Sequence, residues 1–153
     1  MPVEREDRRV NLILFGFRKV GKTYFGRRLA EKLQKPFFDT DALLVSLHTG
    51  EENTPRAIYH ALGETAFRML ERQAIESIRE VQNAVIALGG GAVLLPENRE
   101  LLQTMGRMIY LQAPFTDPLY EERKALYESI PAQAIRVDLL TEAEVLEELS
   151  HGL

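Results

Sequence analysis

Short apolar runs alternate with amphipathic stretches along the chain, the pattern of a parallel sheet covered by helices. Asn11 to Phe15 (NLILF) is continuously apolar and stops at Gly16, as a strand buried on both faces should. Lys22 to Lys35 then reads as a helix, with Phe25, Leu29 and Leu33 spaced by four, and Pro36 ends it. Phe37-Phe38 begins a second strand. Ala84 to Leu88 (AVIAL), Met108 to Leu111 (MIYL) and Ala134 to Val137 (AIRV) supply the third, fourth and fifth. Between the second and third strands, Thr54-Pro55 has the form of an N-cap followed by proline in the first turn. Glu64 to Glu80 predicts a long helix with Phe67, Leu70, Ala74 and Ile78 on one face. Pro96 starts another helix, and Thr141 to Leu149 forms the last, with Val145 and Leu149 inward. The expected fold is a three-layer α/β/α domain around a five-stranded parallel sheet.

Composition narrows the picture. The 153 residues suit one domain, residues 1–153, large enough to bury a core without disulfide or metal. Nineteen lysines and arginines against 23 acids leave a net charge of −4, which disfavours a nucleic-acid coat or a polybasic membrane anchor. There is no cysteine, so disulfides, thiolate metal sites and cysteine nucleophiles are excluded. No apolar run nears the roughly 18 residues of a membrane span. The charged tail, residues 1–9, lacks the apolar stretch of a signal peptide. A cytoplasmic protein is expected.

Candidate chemistry begins where the first strand ends. Gly16-Phe17-Arg18-Lys19-Val20-Gly21-Lys22-Thr23 fits G-x-x-x-x-G-K-[ST]. Gly16 and Gly21 permit close backbone approach, so that successive N–H groups point at a polyphosphate. The helix starting at Lys22 adds its positive end, Lys22 adds a full charge for the β- and γ-phosphates, and the Thr23 hydroxyl can ligate Mg²⁺. Gly16, Lys19, Val20, Gly21, Lys22, Thr23 and Tyr24 are therefore the candidate nucleotide-binding residues. Arg18 and Lys19 either touch nucleotide or face water.

Three further features follow in order. Asp39 and Asp41, one residue apart at the end of the second strand, either divide labour between metal and substrate or cap the next helix. Arg68 and Glu71 stand three apart on a helix, either an ordinary surface ion pair or a placed guanidinium. Gly89, Gly90 and Gly91 close the third strand, presenting N–H groups to a ligand or forming a plain turn. His48, His60 and His151 read as structural, and Met69, Met105 and Met108 as core fillers.

The set GFRKVGKT, DTD, GETAFRMLE and GGG, unbroken in order from Gly16 to Gly91, resembles the shikimate kinase family. The resemblance implies a P-loop kinase fold and ATP-dependent phosphorylation of the 3-hydroxyl of shikimate, with a monomer expected. It implies that Thr23 and Asp39 serve Mg²⁺ and that Lys22 and Asp41 are catalytic, Asp41 binding the reacting hydroxyls and acting as base. It further implies that Arg68 holds the substrate carboxylate and that Gly89, Gly90 and Gly91 lie at the substrate. A planar guanidinium suits a carboxylate, since two N–H donors meet two oxygens.

The family pattern continues with a helix, a lid bearing an arginine beside a proline, and Arg-x-Pro-Leu-Tyr before the fifth strand. Two segments compete for that last element. Pro118 to Glu122 has the proline but Thr116 where the arginine belongs; Arg123 to Glu128 has the arginine but Ala125 in place of proline. The second lies at a suitable distance from the fifth strand, which makes Arg123 a second arginine for the substrate carboxylate. A shortened lid region, residues 112–122, then remains, and it holds no arginine. Asp117-Pro118 stands as a candidate remnant of the lid's Arg-Pro. Two other functions stay open: a lidless domain that binds nucleotide without efficient turnover, and a different small-molecule P-loop kinase.

Overall fold

A computed structural model describes residues 10–151; the charged tail, residues 1–9, lies outside the described residues. The chain runs β1 (Asn11–Phe15), α1 (Lys22–Leu33), β2 (Phe37–Asp39), α2 (Thr40–Leu47), α3 (Pro55–Leu62), α4 (Glu64–Glu76) and β3 (Val85–Ala87). It continues through α5 (Pro96–Met105), β4 (Gly106–Gln112), α6 (Pro118–Ser129), β5 (Gln133–Arg136) and α7 (Glu142–Ser150). All strand pairs are parallel, in the order β2-β3-β1-β4-β5. The predicted three-layer α/β fold is present.

β1 lies at the centre and is buried along its whole length, which explains its uninterrupted apolar run. Strand periodicity divides its side chains between two cores. Ile13 and Phe15 join Ile86, Met108 and Tyr110 beneath Ile75, Leu102, Tyr120 and Tyr127 from α4, α5 and α6. Leu12 and Leu14 join Val85, Ile109 and Leu111 beneath Leu29 of α1 and Val145 and Leu149 of α7. A third cluster of Leu44, Ile58, Phe67, Leu70 and Ala74 ties α2, α3 and α4 into a small helical annex.

Three expectations shift. The helix predicted to reach Glu80 ends at Glu76. Ile78 keeps the apolar period and is buried, but its N–H bonds to Ile75, and Arg79 and Val81 also form three-residue turns. Asn83, at φ 61°, then swings the chain into β3. Met69 is 62% exposed, because it falls beside the Phe67–Leu70–Ala74 stripe rather than on it. The shortened lid region is not a loop throughout, since residues 118–122 begin α6. Asp117 caps that helix by accepting the Leu119 N–H at 2.9 Å, and Pro118 occupies its first turn. Only residues 113–117 connect β4 to α6.

Because every strand runs the same way, β1, β2, β3 and β4 all deliver their following loops to one edge of the sheet. That edge is where open α/β sheets hold ligands.

Candidate functional site

The loop after β1 is built around two glycines and a buried phenylalanine. Gly16 adopts φ 149°, and a Cβ there would strike the Leu111 carbonyl of β4. Gly21, at φ 103°, opens α1. Between them Phe17 is almost fully buried, its ring 5.1 Å from Phe115 and 5.4 Å from Tyr120. The Val20 N–H bonds to the Phe17 carbonyl at 3.0 Å and closes the turn.

Lys22 points back into this loop and donates to the Gly16 carbonyl. Burial lowers its pKa to about 8, against the opposing pull of Asp41 and Asp39, with Arg123 adding to the depression. Thr23 donates its hydroxyl to Asp39 Oδ2 at 2.9 Å. The other Asp39 oxygen accepts the N–H groups of Asp41 and Ala42 and so caps α2. The helix-capping reading of Asp39 is realised, and its second oxygen is held by Thr23 at the phosphate loop. Asp41 is free of that duty. Burial pushes its carboxyl above the ordinary range, Asp39 adds repulsion, and Lys22 partly offsets both.

A cleft of about 330 Å³ is bordered by Lys19, Gly21, Lys22, Thr23 and Tyr24 on one side. Asp39, Asp41, Leu88 and Gly90 border the other, with Arg18 completing the lining. The Tyr24 hydroxyl itself turns away and donates to Glu142 of α7 at 2.9 Å. Gly16 and Val20 are not in the lining.

Arg68 and Arg123 flank the glycine run beside the cleft. Arg68 bonds Glu71 at 3.0 Å, and their side chains are only 12% and 4% exposed, so the pair is not a surface one. Burial pushes the Glu71 carboxyl up, against the pull of Arg68. Arg123 Nη1 lies 3.5 Å from the Gly90 carbonyl, and the buried Tyr127 hydroxyl donates to the same oxygen at 3.0 Å. This contact favours the Arg123–Glu128 segment over Pro118–Glu122 as the element facing the site.

The glycine run departs at one position from the expected row of open N–H groups. The Gly89 N–H is occupied by the Thr40 hydroxyl at 2.8 Å. What these residues contribute is missing volume: a Cβ at Gly89 would overlap the Asp41 carboxylate, and one at Gly91 would overlap the Arg68 guanidinium. Both side chains therefore rest on bare backbone. The Thr40 bond to Gly89, the Tyr127 bond to Gly90 and a 2.8 Å ion pair between Arg18 and Asp117 have no signature in the sequence. Thr40, Tyr127 and Arg18 each lie within a motif, but no motif letter specifies these contacts.

The family model for shikimate kinase matches residues 18–119. The chain belongs to the shikimate kinase family. It is 39% identical over 122 residues to the shikimate kinase of Burkholderia thailandensis, covering 80% of this chain and 65% of that relative. The chain thus spans just under two thirds of that relative's length. The crystal structure of the Bacteroides thetaiotaomicron shikimate kinase superposes with a TM-score of 0.76 at 26% identity, covering 92% of this chain and 97% of that one. The Acinetobacter baumannii shikimate kinase, solved in complex with shikimate, gives a TM-score of 0.80 at 24% identity, with 97% and 94% covered, a likeness of fold. Family membership disfavours the reading as another kind of small-molecule kinase.

Proposed function

We propose that this chain transfers the γ-phosphoryl group of ATP to the 3-hydroxyl of shikimate, giving shikimate 3-phosphate and ADP. The observation that carries the proposal is the buried Arg68–Glu71 pair resting on Gly91, in the glycine run that also bears Asp41 and borders the phosphate loop's cleft. A guanidinium fixed from behind suits a carboxylate-bearing acceptor, and an adjacent carboxylate suits its hydroxyl.

In this reading Gly16, Lys19, Val20, Gly21, Lys22, Thr23 and Tyr24 form the nucleotide side. Arg68, Arg123 and the run Gly89, Gly90 and Gly91 form the acceptor side. The acceptor oxygen forms a bond to the γ-phosphorus while the bond to the β–γ bridging oxygen breaks, its electron pair leaving with ADP. The hydroxyl proton passes to Asp41. Lys22 stands against the developing charge, and phosphoryl transfer asks mainly for such positioning.

Thr23 and Asp39 offer hard oxygen donors 2.9 Å apart, which fits Mg²⁺. Among the described residues no group of three or more His, Cys, Asp or Glu side chains is placed to hold a metal, so phosphate oxygens and water would complete the shell. Bound there, Mg²⁺ supplies charge neutralisation at the β- and γ-phosphates. Action as a single kinase domain over residues 1–153, as a monomer in the cytoplasm, within aromatic amino-acid synthesis, belongs to the same proposal. Among the described residues no helix is long and apolar enough to cross a membrane.

Coupled ADP-release assays with shikimate test the proposal. Shikimate should stimulate ADP release, and Asp41→Asn should lower kcat by about 10²–10⁴-fold with nucleotide affinity nearly unchanged. No stimulation by shikimate, or full turnover in Asp41→Asn, would overturn it. The competing reading, nucleotide binding without efficient turnover, is favoured by one observation: the connection of residues 113–117 between β4 and α6 is short and holds no arginine.

A further inference from the structure

Transfer of a γ-phosphoryl group spreads negative charge over three equatorial oxygens, and one lysine beneath the loop answers only part of it. Among the described residues that line the cleft, Arg18 carries the only guanidinium. It sits in the phosphate loop itself, four residues before Lys22, at the mouth nearest the acceptor side. A Cβ on Gly90 would lie 3.5 Å from the Arg18 Cβ, so its stem abuts the same glycine that Arg123 and Tyr127 approach from behind.

Two features determine what this side chain can do. Its base is immobile, because the neighbouring Phe17 is wedged between Phe115 and Tyr120 and is 1% exposed. Its head is accessible: the side chain is 53% exposed and bonds one oxygen of Asp117 at 2.8 Å. Asp117 is itself a quarter exposed and already accepts the Leu119 N–H with its other oxygen. A bond between partly solvated groups contributes little to stability, because water screens it and competes for both partners. A terminal phosphate, carrying more charge and three acceptor oxygens, outcompetes it.

We propose that Arg18 is a catalytic arginine supplied by the phosphate loop, released from Asp117 to contact the γ-phosphate of bound ATP. This rests on the kinase reading above. The Lys22 ammonium holds the phosphates from below, and the Arg18 guanidinium closes over the transferring group from the mouth of the cleft. The O–P bond forms and the bridging P–O bond breaks as already described; Arg18 exchanges no proton and contributes charge at the equatorial oxygens. The buried Phe17 anchor and the exposed guanidinium let one residue give both placement and reach. An arginine acting in this way from within the same chain is worth about 10³-fold or more in rate.

The test compares ligands that differ by the γ-phosphate. Isothermal titration of the full chain with magnesium β,γ-imido-ATP and with magnesium ADP needs no acceptor, so it stands apart from the identity of the substrate. Arg18→Met should weaken the imido analogue about tenfold and leave ADP within twofold. Arg18→Lys should recover most of the analogue's affinity. Asp117→Asn keeps the helix cap and removes the competing charge, so the analogue should bind about threefold more tightly and ADP as before. With shikimate, Arg18→Met should lower kcat by at least 100-fold with little change in the shikimate KM. Equal weakening of both nucleotides would assign Arg18 a structural role in the loop and overturn the proposal, as would unchanged analogue affinity. Failure of the unsubstituted chain to phosphorylate shikimate would sink the kinase reading, while the two titrations would still decide Arg18.

Discussion

Lys22 carries its charge where the surroundings oppose it. Burial beneath the loop brings its pKa to about 8, and the carboxylates of Asp39 and Asp41 do not fully restore it. A bound polyphosphate adds several negative charges at close range and raises that pKa again. The complex therefore holds the proton more tightly than the free protein. Nucleotide affinity should stay level below pH 8 and fall as pH rises above it, up to tenfold per pH unit. Titration calorimetry at pH 7, 8 and 9 in buffers of different ionisation enthalpy should show proton uptake growing across that range. An affinity that stays flat from pH 8 to 9 would contradict the assignment. Asp41 contributes a limb of opposite sense: its raised pKa means that protonation disables the base at a higher pH than for an ordinary aspartate.

At the scale of elements, the glycine run is a surface on which others rest. Gly91→Ala would insert a methyl into the Arg68 guanidinium and pull it from Glu71. The shikimate KM should rise about tenfold with nucleotide affinity nearly unchanged, and the melting temperature should fall, because parting the pair leaves the buried Glu71 carboxylate uncompensated. An unchanged KM would remove Arg68 from the acceptor site. The strands themselves were legible because each is an apolar run stopped by glycine, proline or a polar cluster. The end of α4 was not, since Ile78 keeps the apolar beat after the hydrogen bonding has tightened. The role of the glycines was only half legible. Composition announces a special backbone, but it cannot say that Asp41 and Arg68 occupy the space where side chains would be.

For the molecule as a whole, parallel strand order brings the loops after β1, β2, β3 and β4 to one edge, so motifs far apart in sequence converge. That convergence could be read from the order of the motifs along the chain. The contact between Arg18 and Asp117 could not, as 99 residues separate two loop positions with no shared period. The brevity of the connection at residues 113–117 has its own effect. Five residues leave little chain to cover the cleft, and in the proposed reaction water would then compete with the acceptor for the γ-phosphoryl group. Phosphate release without shikimate should be measurable. A malachite-green assay with and without shikimate checks this, and undetectable hydrolysis would mean that the cleft is closed by other means.

The bare backbone at Gly89 and Gly91 also bears on how such a site can evolve. Pockets commonly change their preference one side chain at a time, each new methyl trading an old contact for another. Here the first carbon added at either position displaces Asp41 or Arg68 before it can meet any ligand. Acceptor preference cannot drift through Gly89 or Gly91 by single steps. A lineage exploring a new acceptor would have to start from α2, α4, α6 or Gly90 and leave those two glycines for last.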